Sequence, residues 1–178
     1  VVTGSEVFFV PQRPYMLLGT LRDQLLYPTW TECMAEDAAC VADMPSDEQL
    51  KEALVRVRLS KLLDIAGGLD AKLEWSGVLS LGEQQRLAFA RLLLTAPRLA
   101  LLDESTSAMD IANEAHLYTE MLRSNITFVS VGHRPTLVPF HQDVLRLSPV
   151  DDTPGAWSIV PAQSLLPEGS MSETGVLL

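Results

Sequence analysis

The chain has 178 residues, 47% of them hydrophobic and 20% charged, which is enough apolar content for a packed core and excludes a disordered polymer. Thirteen Lys and Arg stand against 23 Asp and Glu, a formal charge of −10. That balance argues against a nucleic-acid partner, whose phosphate backbone needs a basic face, but leaves a nucleotide site open, because backbone amides and a metal also hold phosphates.

The sequence opens on Val1 rather than Met and already reads as a strand over Val7-Phe8-Phe9-Val10, closed by Pro11; the expectation is that the natural chain begins upstream. Thr20 caps a brief helix to about Leu26. Residues 31–45 are acidic, carry both cysteines (Cys33 and Cys40) and contain no Lys or Arg, so they read as a surface loop or insertion with free thiols, neither a disulfide framework nor a zinc site. Ser46 to Gln49 has the form of a capping box, opening a helix with Leu50, Leu54 and Val57 on one face. A short helix over 61–66 ends at Gly67-Gly68.

Ser80-Leu81-Gly82-Glu83 is a second capping box, leading a helix to about Thr95 with Leu87, Ala90, Arg91 and Leu94 at helical spacing and Pro97 beyond it. Arg91 and Arg98 interrupt the most apolar stretch, so no bilayer-spanning run is present. Leu99 to Leu102 is a buried strand running into Asp103-Glu104, Asp110 caps a helix to about Arg123, and Ile126 to Val131 is the next strand, ending near His133. Val144–Leu147 and Trp157–Val160 read as edge strands.

Alternating strands and helices from residue 80 onward predict an α/β fold with a parallel sheet. The expected organisation is a core strand and loop over 1–13, a helical subdomain without strands over 14–90, a second part of the core over 91–161 and a flexible tail over 162–178.

In open parallel sheets the ligand crevice lies at the carboxyl ends of the strands. Three strands here end on groups suited to phosphate chemistry: Gln12, the pair Asp103-Glu104, and His133. Adjacent carboxylates at a buried strand end need a partner. The expectation is that Asp103 holds Mg²⁺, Gln12 touches the metal or the water, Glu104 acts as general base on the attacking water, and His133 donates to a γ-phosphate oxygen. Ser80 to Glu83 supplies a second anion site, the amide row and positive dipole end of a helix. A 15-residue helix spans about 22 Å, which predicts that Ser80 lies far from Asp103 and serves the nucleotide of a second copy in a head-to-tail dimer.

Gln12, Leu79 to Glu83, Leu99 to Glu104, Ser105 to Asp110 and His133 stand in the order of an ABC-transporter nucleotide-binding domain. They resemble its Q-loop, signature, Walker B with catalytic Glu, D-loop and H-loop, over about residues 7–147. Pro11 to Met16, Gly19 to Gln24 and Leu79 to Arg86 are similar to subfamily D, the peroxisomal fatty-acyl transporters and their plastid and bacterial half-transporter relatives, and Asn113 to Tyr118 with Gly132-His133-Arg134 resembles the plastid or bacterial branch.

The resemblance implies a RecA-like P-loop NTPase core with a helical subdomain after the Q-loop. It further implies ATP and Mg²⁺ as cofactors, Ser80, Leu81, Gly82, Glu83 and Asp110 as nucleotide-facing residues across the dimer, and Gln12, Glu104 and His133 as catalytic ones. The implied partners are a second nucleotide-binding domain and a transmembrane domain of the same parent, in an organellar or bacterial inner membrane. Tyr15 to Leu18 divide evenly between core and the transmembrane coupling surface.

The departures from the family pattern are Leu81 for Gly, Glu83 for Gln, Met109 for Leu, and no G-x-x-x-x-G-K-[ST] phosphate loop in the sequence. The last implies a fragment inactive alone, from a longer parent. The competing readings are a soluble ABC-type ATPase, which in the DNA-repair class needs a long coiled coil that the stretch between Gln12 and Ser80 lacks, and a non-enzymatic partner-binding remnant.

Overall fold

The computed structural model describes residues 6–31, 43–147 and 157–166; the loop expected around Cys33 and Cys40 lies mostly outside them, as does most of the expected tail. The chain divides into two compact units, residues 1–131 and 132–178.

The first unit holds strands β1 (Val7–Val10), β2 (Gly19–Thr20), β3 (Lys72–Leu73), β4 (Leu99–Asp103) and β5 (Thr127–Val131). Its helices are α1 (Leu21–Leu26), α2 (Asp47–Arg56), α3 (Lys61–Ala66), α4 (Trp75–Val78), α5 (Leu81–Thr95) and α6 (Ile111–Arg123). β4 lies between β1 and β5, parallel to both. The register puts Phe8, Ala100 and Phe128 in one row and Val10, Leu102 and Ser130 in another on the same face, and the five apolar members of these rows are buried. α5 packs on β1, and α6 sets the Tyr118 ring edge-on to Phe128 at 5.3 Å. Burial pushes the Tyr118 phenol up to about 12, against the opposing pull of its hydrogen bond with Ser130.

The opposite face of the same sheet is open. Phe9 and Val131 are 56% and 63% exposed, and Val7 and Val129 are exposed beside them. Parallel sheets are ordinarily covered on both faces, so this apolar row is a surface that favours cover.

The helical part departs from the sequence pattern in one respect. β2 and β3 form an antiparallel ribbon, Gly19 opposite Leu73 and Thr20 opposite Lys72, where helices alone are expected. Strands of two residues carry no readable alternation, and this pair is fixed by a tertiary contact, the Trp75 indole N–H donating to the Gly19 carbonyl at 2.8 Å. Helix starts follow their caps: Thr20, Ser46 and Ser80 each form a full capping box, and α3 stops at Gly67, φ +76°, in the left-handed region that glycine enters without steric cost. Arg22 bridges Asp70 and Asp47, and these two hydrogen bonds raise the Arg22 pKa above its usual value.

Arg91, the charge inside the apolar run of α5, is buried. Its guanidinium donates to the Gln24 carbonyl at 2.6 Å, the Tyr15 carbonyl at 2.9 Å and the Gln24 side-chain oxygen at 3.3 Å, over the Tyr27 ring. Desolvation lowers its pKa to about 10, so it stays charged at neutral pH. Gln24, also buried, exchanges a pair of 2.9 Å hydrogen bonds with the backbone of Leu17. Residues 15–17 are thereby fixed, while Leu18, at 93%, and Tyr15, at 63%, stay exposed and outside the core.

The second unit has a 3-10 helix over Pro135–Phe140, strand β6 (Asp143–Leu147) and strand β7 (Trp157–Pro161), paired antiparallel. Residues 162–165, expected to begin a flexible tail, instead form a 3-10 helix with Ala162 buried. The cause is local: the Ala162 amide donates to the Gln142 carbonyl at 2.7 Å, continuing the ribbon past its last paired residue.

Candidate functional site

The carboxyl ends of β1 and β4 bring Gln12 and Glu104 together. The Gln12 amide Nε2 donates to Glu104 Oε2 at 2.8 Å, across 92 positions of sequence. Glu104 itself has φ +43°, a left-handed backbone that costs a residue with a Cβ roughly 1–2 kcal/mol. Its amide donates to the Val131 carbonyl at 2.9 Å, so the β4–β5 ladder runs one residue past the strand and then turns the carboxylate toward Gln12. Arg58, Ala96 and Asn125 share the left-handed φ, so it is strain together with the contact to Gln12 at a strand end that marks Glu104.

Asp103, one residue earlier, is exposed, and Glu104 is half-buried. The expectation of two carboxylates buried at a strand end is corrected: water reaches both, and burial alone does not demand a metal.

The loop after Glu104 is held from below. Thr106 donates to the buried Glu114 carboxylate at 2.8 Å, Asp110 accepts from the Asn113 amide at 2.7 Å, and that amide holds the Asp110 carboxyl below its usual range. Ser105 is buried with its hydroxyl unpartnered.

The first turns of α5 meet this loop. A Cβ on Gly82 would lie 2.8 Å from the Ala108 carbonyl oxygen, closer than a side chain tolerates, so the missing side chain of Gly82 first admits its own chain. Gln85, one turn on, donates to the Gln12 carbonyl at 2.8 Å and the Ser107 hydroxyl at 3.3 Å, and accepts from the Ala108 amide at 3.1 Å.

These contacts overturn the expectation that helix length carries the Ser80 end far from the Asp103 end. α5 starts beside residues that follow β1 and β4 and ends at Thr95, just before β4 begins. The strand therefore runs back along the helix, and its five residues return about 17 Å of the roughly 22 Å travelled outward. Helix length gives no argument for a second copy.

Ser80 is exposed, and its hydroxyl donates to Glu83 Oε2 at 2.7 Å while accepting from the Glu83 amide at 3.4 Å. The Ser80 hydroxyl, and with it the Ser80 amide, hold the Glu83 carboxyl below its usual range. Within the box the amides of Leu81 and Gly82 are the first-turn donors left to face an anion. His133 lies in the second unit, exposed, before the 3-10 helix.

Among the described residues no cluster of three or more His, Cys, Asp or Glu forms a metal cage. The donors present suit a different mode: one exposed carboxylate on Asp103 and the amide oxygen of Gln12, whose nitrogen is turned to Glu104, fit a Mg²⁺ that keeps waters and takes its other ligands from phosphates.

Residues 3–107 match the family model described as ABC transporter. The chain belongs to the ABC transporter family. Within it, the chain is 50% identical over 162 residues to a chloroplastic ABC transporter D family member 2 of Arabidopsis thaliana, covering 83% of this chain and 23% of that one. It is 48% identical over 157 residues to an ABC transporter ATP-binding protein of Synechocystis (88% and 22%), and 42% identical over 143 residues to human ATP-binding cassette sub-family D member 3 (80% and 21%).

Among solved structures it resembles a bacterial Atm1-family ABC exporter with ATP bound, TM-score 0.62 at 26% identity, over 80% of this chain and 23% of the other. The chain thus spans less than a quarter of the length of these ABC relatives, and its similarity is to subfamily D.

Gln85 and Gln24 are the residues that the sequence pattern leaves without a role. Both are amides at inward positions of helices whose other buried residues are mostly apolar, which is the available signal, but a glutamine at such a position carries no mark of its partners.

Proposed function

We propose that this chain forms the catalytic and signature portions of the ATPase domain of a D-family half-transporter, which hydrolyses ATP within a dimer to move a substrate, a fatty acyl compound, across an organellar or bacterial membrane. The observation that carries the reading is the Gln12–Glu104 pair at adjacent strand ends, one member on a strained backbone. Glu104 takes a proton from the attacking water, Gln12 holds that carboxylate in place, and His133 donates to a phosphate oxygen. Asp103 and Gln12 hold Mg²⁺, which when bound neutralises phosphate charge.

Ser80 to Glu83 and Asp110 face the nucleotide of the partner domain; the support for a dimer is family membership. Exposed Tyr15 and Leu18 are the surface offered to the transmembrane domain. We keep residues 14–90 as the helical portion between two parts of the core, and the apolar open face of the sheet as the place where further elements of the same domain pack.

The test is ATP turnover by the full-length protein in lipid vesicles, with ATP-driven uptake of fatty acyl-CoA into the same vesicles. Turnover with uptake is the expected result; no turnover overturns the reading. The 178-residue chain alone, which has no G-x-x-x-x-G-K-[ST] sequence, is expected to show negligible turnover in the same assay.

Glu83 supplies a further expectation. Its ionised carboxylate sits at the helix end that meets the partner's phosphates, where like charge is unfavourable. Glu83→Gln keeps both arms of the capping box and removes the charge. Half-saturating ATP in a turnover assay is expected to fall by about threefold or more, the effect of a screened surface charge; an unchanged value places Glu83 away from the nucleotide.

A further inference from the structure

The geometry around Gln85 points to a positioning role that we propose for it: this residue fixes the Gln12–Glu104 pair and joins it to the helix that starts at Ser80. The inference rests on the ATPase reading above and adds a residue to that site.

Gln85 is 0% exposed, so every polar atom it carries needs a protein partner. It has them on two separate segments. Nε2 donates to the Gln12 carbonyl at 2.8 Å and to the Ser107 hydroxyl at 3.3 Å, and Oε1 accepts from the Ala108 amide at 3.1 Å. The residue it holds by the backbone, Gln12, is the one whose side chain donates to Glu104. The segment it holds by Ser107 and Ala108 begins three residues after that glutamate.

Gly82, one helical turn earlier on the same side of α5, lies against the Ala108 carbonyl with no room for a Cβ. Helix, Gln12 loop and Ser107–Ala108 loop therefore meet at one junction, part-buried around the buried Gln85 side chain. A glutamine suits it because its amide offers a donor and an acceptor on one planar group, and an apolar residue would leave the Ala108 amide and the Gln12 carbonyl unsatisfied. Glu104 stands on a strained turn between these two anchored points. Gln85 touches neither nucleotide nor water; it acts through Gln12.

The test is a double-mutant cycle in the full-length protein in lipid vesicles, reading kcat and half-saturating ATP. Gln85→Met keeps the volume and removes both hydrogen-bonding functions. It is expected to lower kcat about tenfold, the scale of unmade buried hydrogen bonds, with half-saturating ATP within about twofold of the unsubstituted protein. In a Gln12→Ala background, where no side chain remains to be positioned, Gln85→Met is expected to cost less than about twofold.

Equal, multiplicative losses in the two backgrounds overturn the proposal, because a merely structural role does not depend on the Gln12 side chain. Where Gln85→Met fails to fold by melting temperature, Gln85→Glu runs the same cycle: it keeps the acceptor for Ala108 and loses the donor to Gln12, and the same two outcomes decide. An unsubstituted protein without ATP turnover refutes the functional reading itself, before any variant is made, and the proposal with it.

Discussion

Glu104→Gln is expected to lower ATP turnover by about 10² to 10⁴, the usual yield of general-base catalysis, while the affinity for ATP in a binding assay stays within about twofold. The amide is nearly isosteric with the carboxylate, and its oxygen still accepts from Gln12, whose bond to Glu104 is 2.8 Å long. Geometry is preserved and only basicity is lost. Glu104→Gly separates chemistry from fold. At φ +43° glycine relieves roughly 1–2 kcal/mol of backbone strain and returns about 0.5–1 kcal/mol of that as unfolded-state entropy. Stability by denaturant unfolding is therefore expected within about 1 kcal/mol of the unsubstituted protein, with turnover lost. A glutamine variant that keeps its turnover removes Glu104 from the base role; a glycine variant that unfolds overturns only the expectation about backbone strain.

How much of this was legible in the residues follows from which interactions are local. Helix caps are: the boxes at Ser46 and Ser80 and the N-cap at Thr20 announce helices within three positions of themselves, and all three helices start there. The strand at Leu99 is marked by its continuous apolar run, and its central place between β1 and β5 fits that burial. Gln12 and Glu104 were readable as candidates because each follows a strand. Their contact was not, since it depends on β1 lying beside β4, a pairing between segments some ninety residues apart.

Non-local closure also hid the junction at Gln85, the β2–β3 ribbon and the carbonyl cage of Arg91. The helix-length argument at Ser80 failed for a related reason. It counted rise along one element and neglected the strand that retraces it, although the parallel pattern of strands requires such a return. Exposure at Asp103 was misjudged because a strand can be buried along its apolar residues and still end in water.

The two faces of Gly82 lead to the second large effect. On one side its missing Cβ admits the Ala108 carbonyl at 2.8 Å; on the other lies the first turn of α5, whose amides are proposed to meet a partner's phosphates. Gly82→Ala tests the first face alone. A methyl there collides with backbone, which yields less readily than a side chain, so overpacking is expected to cost about 1–3 kcal/mol. The strained contact also disturbs the Ala108 bond to Gln85, 3.1 Å long, and turnover is expected to fall about tenfold.

Gly82→Asp adds a negative charge to the same collision. Two unit charges 4 Å apart at an effective dielectric of about 20 repel by about 4 kcal/mol, so even a partly screened encounter with triphosphate is expected to place turnover a further hundredfold or so below the alanine variant. ATP binding to the monomer is expected to stay within about twofold in both variants, because the signature faces the partner's nucleotide. Parallel assays of turnover, monomer binding and ATP-dependent dimer formation check all three expectations. If aspartate and alanine prove equal in turnover, the helix start meets no anion, and the close approach at Gly82 serves only its own loop. If monomer binding falls together with dimer formation, the amides of Leu81 and Gly82 belong to a site within one chain, which the return of α5 toward the carboxyl end of β4 makes geometrically accessible.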